Sequence, residues 1–150
     1  MGDGWVDRGA IAGSDQSVAD AEAWRGSGTI LIIDDEVIIR EVAACILEDM
    51  GFETMTAENG WEGVQHYLGS RDQIVGVLLD MTMPKMDGIE CFSQLRGINP
   101  KVKVVLSTGY NERVASGGFA GKGLAGYIQK PYEPKALREK MRSMLEGDSL

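Results

Sequence analysis

Thr29-Ile30-Leu31-Ile32-Ile33-Asp34-Asp35, residues 29–35, is an apolar run that stops on two adjacent carboxylates. Ile30 to Ile33 shows no polar alternation, and a strand apolar at every position belongs in a sheet covered on both faces. Downstream, Val37, Ile38, Val42, Cys45, Ile46 and Met50 recur near helical spacing, and Gly51 follows where a helix commonly ends. Phe52 to Ala57 reads as a second strand, Glu58-Asn59-Gly60 as a turn, and Trp61 to Leu68 as a short second helix. Ile74 to Leu79 is a third strand that ends on Asp80. Gly88 to Arg96 is a third helix, broken at Asn99-Pro100, and Val102 to Leu106 is a fourth strand ending on Ser107 and Thr108. Leu124 to Gln129 makes a fifth strand, and Pro134 to Leu145 a last helix with proline in its permissive first turn. Short apolar runs alternating with amphipathic stretches predict an α/β fold, a parallel sheet with crossover helices.

Outside this pattern the chain is thin in apolar residues. Residues 1–28 are rich in Gly, Ala, Ser and Asp, with Trp5 and Trp24 isolated, and are expected to be a flexible tail or linker. The domain is expected over 29–146, with 147–150 a short C-terminal tail. Between Asn111 and Gly126 stand Gly117, Gly118, Gly121, Gly123 and Gly126. Each interior glycine costs a helix about 1 kcal/mol relative to alanine, so any helix there is short, over Glu112 to Ser116.

The 150 residues are 43% hydrophobic and 25% charged, enough for one domain with a core. A net charge of -8 argues against nucleic acid and anionic membranes, both of which are met by surplus Lys and Arg. Cys45 and Cys91 lack metal-type pairing and His66 has no second ligand near it, so both cysteines read as buried free thiols. With no apolar run of about 20 residues and no basic-then-apolar leader, a cytoplasmic location is expected.

The chemistry lies at the strand ends. In an open doubly wound sheet, ligands bind beyond the carboxyl ends of the strands, and those ends here carry Asp34 with Asp35, Asp80, Thr108 and Lys130. Three carboxylates in one crevice repel unless a cation joins them, and a few hard oxygen ligands with room for water and phosphate suit magnesium. Asp80 is then placed to attack a phosphoryl group, with Lys130 and Thr108 stabilising its oxygens. A cis peptide between Lys130 and Pro131 would turn the lysine toward the crevice. Taken singly, each signal has a blander reading. The Asp pair serves equally as a helix N-cap, Tyr127 as strand packing, Met81, Met83 and Met86 as loop packing, and Asp87-Gly88 as a helix entry.

The stretches IIDDE (32–36), LLDMTMPKMDG (78–88), VVLSTGY (104–110) and GYIQKPY (126–132) resemble, in order and spacing, the signatures of response-regulator receiver domains. The resemblance covers about residues 29 to 146. It implies a flavodoxin-like five-stranded parallel sheet of order 2-1-3-4-5. It also implies a two-component phosphorelay domain that takes a phosphoryl group from a histidine kinase, or a histidine phosphotransfer protein, onto Asp80. By the same resemblance Asp34, Asp35 and Asp80 hold Mg2+ together with the backbone carbonyl of Thr82. Thr108 and Tyr127 form the switch, and Lys130 with the cis-linked Pro131 completes the site. The Ser-Thr-Gly-Tyr loop and its glycine-rich sequel are similar to receivers attached to hybrid histidine kinases, while the thin fourth helix departs from the commoner family pattern.

Three rivals differ in chemistry. A haloacid-type phosphatase needs a second aspartate two residues after the nucleophile, where this chain has Thr82. A flavin binder needs a phosphate-cradling loop after the first strand, where this chain is acidic. An interaction module with a degenerate site would bind no magnesium. The chain reads as a regulatory phosphoacceptor rather than an enzyme, without a kinase apparatus of its own, signalling through protein contacts to a partner or to attached kinase domains.

Overall fold

Strand β1 (Thr29–Ile33) is buried at all five positions, as its unbroken apolar run requires. The computed structural model describes residues 24–81, 83, 86–109 and 124–146. Helix α1 (Val37–Asp49), β2 (Glu53–Ala57), α2 (Gly60–Ser70), β3 (Ile74–Asp80), α3 (Gly88–Ile98), β4 (Val104–Thr108), β5 (Gly126–Gln129) and α4 (Pro134–Glu146) follow in chain order. The strands form one sheet of order β2-β1-β3-β4-β5, parallel throughout. This is the flavodoxin-like arrangement expected. The order reverses between β1 and β3, so a crevice opens beyond the ends of those two strands.

Alternate side chains of each strand leave opposite faces of the sheet and build two cores. Leu31, Ile33, Val77 and Leu79 pack with Val64, Tyr67, Phe92 and Leu95 of α2 and α3. Ile30, Ile32, Leu78 and Val105 pack with Ala43, Leu47, Leu137, Met141 and Met144 of α1 and α4. A central strand sandwiched in this way holds its carboxyl end rigidly, which is what a site built on strand ends needs.

The apolar residues of α1 depart from expectation. Val37, Ile38 and Val42 are exposed, as is Cys45, whereas Cys91 is buried. The sheet covers only one stripe of a helix, and Ala43 and Leu47 occupy it with Ile39, Ala44 and Ile46 beside them. Helical spacing was right, but the helix carries more apolar positions than one stripe can bury. The reading of Cys45 as a buried thiol is therefore corrected.

Strand and helix ends shift by a few residues, with α2 reaching Ser70 and β5 beginning at Gly126. Gly51 ends α1 with φ +108°, as the C-terminal glycine signal implied. Residues 24–28, read from sequence as the end of a tail, lie against the domain. Trp24 packs on Phe52 with ring centroids 6.1 Å apart, Gly26 N–H donates to Met50 O at 3.0 Å, and Glu53 N–H donates to Gly28 O at 2.9 Å. An isolated tryptophan has no periodicity to betray such a contact. Thr82 and the short helix expected over Glu112 to Ser116 lie outside the described residues.

Candidate functional site

Asp34 directly follows β1, Asp80 ends β3, Thr108 ends β4 and Lys130 follows β5. Parallel pairing places these ends side by side: Ile33 is in register with Leu79, Asp80 with Ser107, and Thr108 with Gln129. One carboxylate oxygen each from Asp34, Asp35 and Asp80 lies within 4.8 Å of the others. Asp34 is 1% and Asp80 3% exposed, while Asp35 is exposed.

The helix-cap reading of the Asp pair does not hold. Residue Glu36 occupies the N-cap of α1 without a side-chain cap, and Asp34 Oδ1 accepts the Glu36 N–H at 2.9 Å, outside the helix proper. Arg40, a turn into α1, donates to the Asp34 carbonyl at 2.8 Å and so fixes the loop that carries both carboxylates. Asp87, by contrast, is a true N-cap, its side chain accepting from Glu90 N. Gly88 follows because a Cβ there would stand 2.9 Å from the Asp80 and Met81 carbonyl oxygens. The start of α3 thus presses on the backbone that presents Asp80.

Lys130 reaches between two of the carboxylates, its Nζ 2.9 Å from Asp34 Oδ2 and 3.2 Å from Asp80 Oδ1. The Lys130–Pro131 peptide is cis, as read from the sequence, and Lys130 N–H donates to the Thr108 carbonyl at 2.8 Å. Burial by itself pushes the Lys130 ammonium down, but the contact and charge of Asp34 and the charge of Asp80 outweigh it and hold the group above the ordinary lysine range. Next to it, Tyr132 Oη donates to Ser107 Oγ at 2.7 Å in a buried pair, and burial pushes the phenol up to about 12.

Among the described residues, the ion pairs set one ammonium against three clustered carboxylates, a net two negative charges within these four groups. At 4.8 Å, two like charges repel by about 3 kcal/mol at an effective dielectric near 20, so one lysine does not balance the cluster. Asp34 Oδ2 is buried without an aligned hydrogen-bond donor, its lysine contact being an ion pair. An acceptor with spare capacity, beside two further hard oxygens, is the donor chemistry that a small divalent cation takes. These residues therefore fit a magnesium ion.

Of the other site residues read from sequence, Tyr127 stands on β5 in register with Leu106 and is 38% exposed. Met83 and Met86 are buried in the core on the α2/α3 side with Met81 packed against it, which is loop packing. Trp61 is exposed. Sequence reasoning missed Arg40, Ser107 as an acceptor, and Tyr132. Only the Tyr132 position two residues past Lys130 offered a local signal; the other two act through contacts made in three dimensions.

The response regulator receiver domain family matches residues 30–142. The chemotaxis protein CheY of Listeria monocytogenes is 33% identical over 111 residues, covering 73% of this chain and 92% of that protein. Sensor kinase CckA of Brucella abortus is 27% identical over 141 residues, 94% of this chain and 15% of the kinase, so the chain spans a small part of that relative. Among solved structures, a response regulator receiver domain from Clostridium thermocellum superimposes with a TM-score of 0.74 at 28% identity, over 79% of this chain and 94% of that one. A chain of the CheX–CheY–BeF3–Mg2+ complex from Borrelia burgdorferi gives 0.72 at 30% identity, over 77% and 87%.

Proposed function

Since the chain belongs to the response regulator receiver domain family, we propose that it accepts a phosphoryl group from the phosphohistidine of a histidine kinase or histidine phosphotransfer protein onto Asp80. The observation that carries this reading is the cluster of Asp34, Asp35 and Asp80 within 4.8 Å at the switch point of the sheet, with Lys130 Nζ against two of them. Asp80 contributes the nucleophilic oxygen. Its attack on phosphorus breaks the P–N bond, the imidazole leaves with the electron pair, and an acyl phosphate forms. Lys130 holds one phosphoryl oxygen and the Thr108 hydroxyl donates to another. Asp34, Asp35 and the Thr82 carbonyl, with Asp80, would hold Mg2+, which when bound supplies the positive charge that lets two anions approach. Thr108 drawn toward the phosphoryl group, and Tyr127 moving inward, make the switch. Signalling then passes by protein contacts, to a separate partner or to attached kinase domains; the likeness to a stretch of a sensor kinase supports the second.

The wild-type protein incubated with Mg2+ and phosphoramidate is expected to gain one hydroxylamine-sensitive phosphoryl group by intact mass, mapped to the peptide containing Asp80. Absence of that adduct, with phosphohistidine donors failing as well, sinks the reading. The metal has its own test. At ten times its dissociation constant Mg2+ should add about 1.4 kcal/mol of stability, a rise in melting temperature of about 5 °C. No shift at millimolar Mg2+ would count against these carboxylates as its ligands.

A further inference from the structure

We propose that Tyr132 is a positioning residue for Lys130: its hydroxyl, bound to Ser107 Oγ, holds the Lys130–Pro131 turn on β4 so that the ammonium stays between Asp34 and Asp80. The turn leaves β5, which pairs with β4, and its described hydrogen bonds run to β4. Lys130 supplies one tie, its N–H to the Thr108 carbonyl at 2.8 Å. Pro131 has no N–H to offer, so the next tie falls to the Tyr132 side chain, which reaches Ser107 Oγ at 2.7 Å.

The anchor is well chosen. Ser107 is fully buried, lies in register with Asp80, and its carbonyl accepts the Met81 N–H at 2.9 Å. One residue thereby touches the strand end that presents Asp80, precedes the Thr108 hydroxyl, and anchors the turn that carries Lys130. Mere packing does not call for these groups. Phenylalanine and alanine would fill the same space without two buried hydroxyls, each costly to bury unless paired. Tyr132 is 8% exposed, so water does not compete for the contact.

The inference rests on the phosphoacceptor reading for its kinetic readout alone. With saturating Mg2+ and phosphoramidate, well below the melting temperature, Tyr132→Phe is expected to slow Asp80 phosphorylation about fivefold, the factor one buried hydrogen bond represents. Ser107→Ala should do the same, and the double variant should be no slower than either single one, because the two groups act as one unit. Mg2+ affinity should not fall, since no carboxylate is touched and a looser ammonium competes less with the ion. In a Lys130→Ala background Tyr132→Phe should cost nothing further. An unchanged rate in Tyr132→Phe overturns the proposal. So does an equal loss with and without Lys130, or a parallel loss of Mg2+ affinity, either of which marks a purely structural role. A readout free of chemistry is the 15N–1H signal of the Lys130 ammonium, expected to be sharp in the wild type and averaged in Tyr132→Phe. A signal equally sharp in both proteins also overturns it. If wild-type protein takes no phosphoryl group, the proposed function fails, while the ammonium signal still decides the role of Tyr132.

Discussion

Asp80→Asn is expected to abolish phosphoryl labelling while leaving the fold intact. Asparagine has the shape of aspartate, so the 3% exposed position at the end of β3 keeps its packing. The amide lacks the anionic oxygen that attacks phosphorus, and labelling should fall by at least about 1,000-fold, as losses of a nucleophile do. Stability has two opposed contributions. Lys130 loses its 3.2 Å partner at Asp80 but keeps Asp34 at 2.9 Å, while repulsion among three carboxylates becomes repulsion between two. The net change should stay within about 1 kcal/mol in the absence of Mg2+, and the stabilisation by Mg2+ should shrink. Intact-mass labelling and paired melts with and without Mg2+ read both effects. Labelling of the variant to the wild-type extent would put the phosphoryl group on another residue.

Lys130→Ala should be costly in a different way. Removing one preorganised cation from a developing charge costs about 100-fold to 1,000-fold in rate. Leaving Asp34 and Asp80 buried without their ammonium should lower stability by about 3 kcal/mol in the absence of Mg2+. Because a divalent ion supplies the missing charge, Mg2+ should restore more stability to the variant than it adds to the wild type. Alkaline pH gives a second readout. Lys130 is held above the ordinary lysine range by Asp34 and Asp80 against the pull of burial, so its contribution is complete below the unfolded value near 10.4 and lost as pH rises through the higher folded one. Tyr132, pushed up to about 12 by burial, acts with the same sign above about pH 10. The variant keeps Tyr132, whose phenol the Lys130 charge draws down, so the difference between the two stability curves reads the lysine together with its effect on the tyrosine. Identical melting profiles for the two proteins from neutral to alkaline pH would mean that the lysine carries no such weight.

The strand ends that make the site were legible as a series. Apolar runs stop at Asp34 and at Asp80, and Thr108 and Lys130 each follow a run after one polar residue, so the series of strand ends pointed to a site where each residue alone had a blander reading. The strand order came from resemblance, since periodicity marks strands and is silent on which lie side by side. Tertiary structure decided the rest. The sheet offers α1 a single stripe, which buried Ala43 and Leu47 and left Val37, Ile38, Val42 and Cys45 to solvent; no spacing rule chooses between two apolar stripes on one helix. Trp24 found Phe52, Arg40 found the Asp34 carbonyl and Tyr132 found Ser107, across separations of 28, 6 and 25 residues. Hydrogen-bond and ring partners of this kind depend on where the backbone brings two side chains, and a polar residue read alone in a chain carries no mark of which acceptor it will meet.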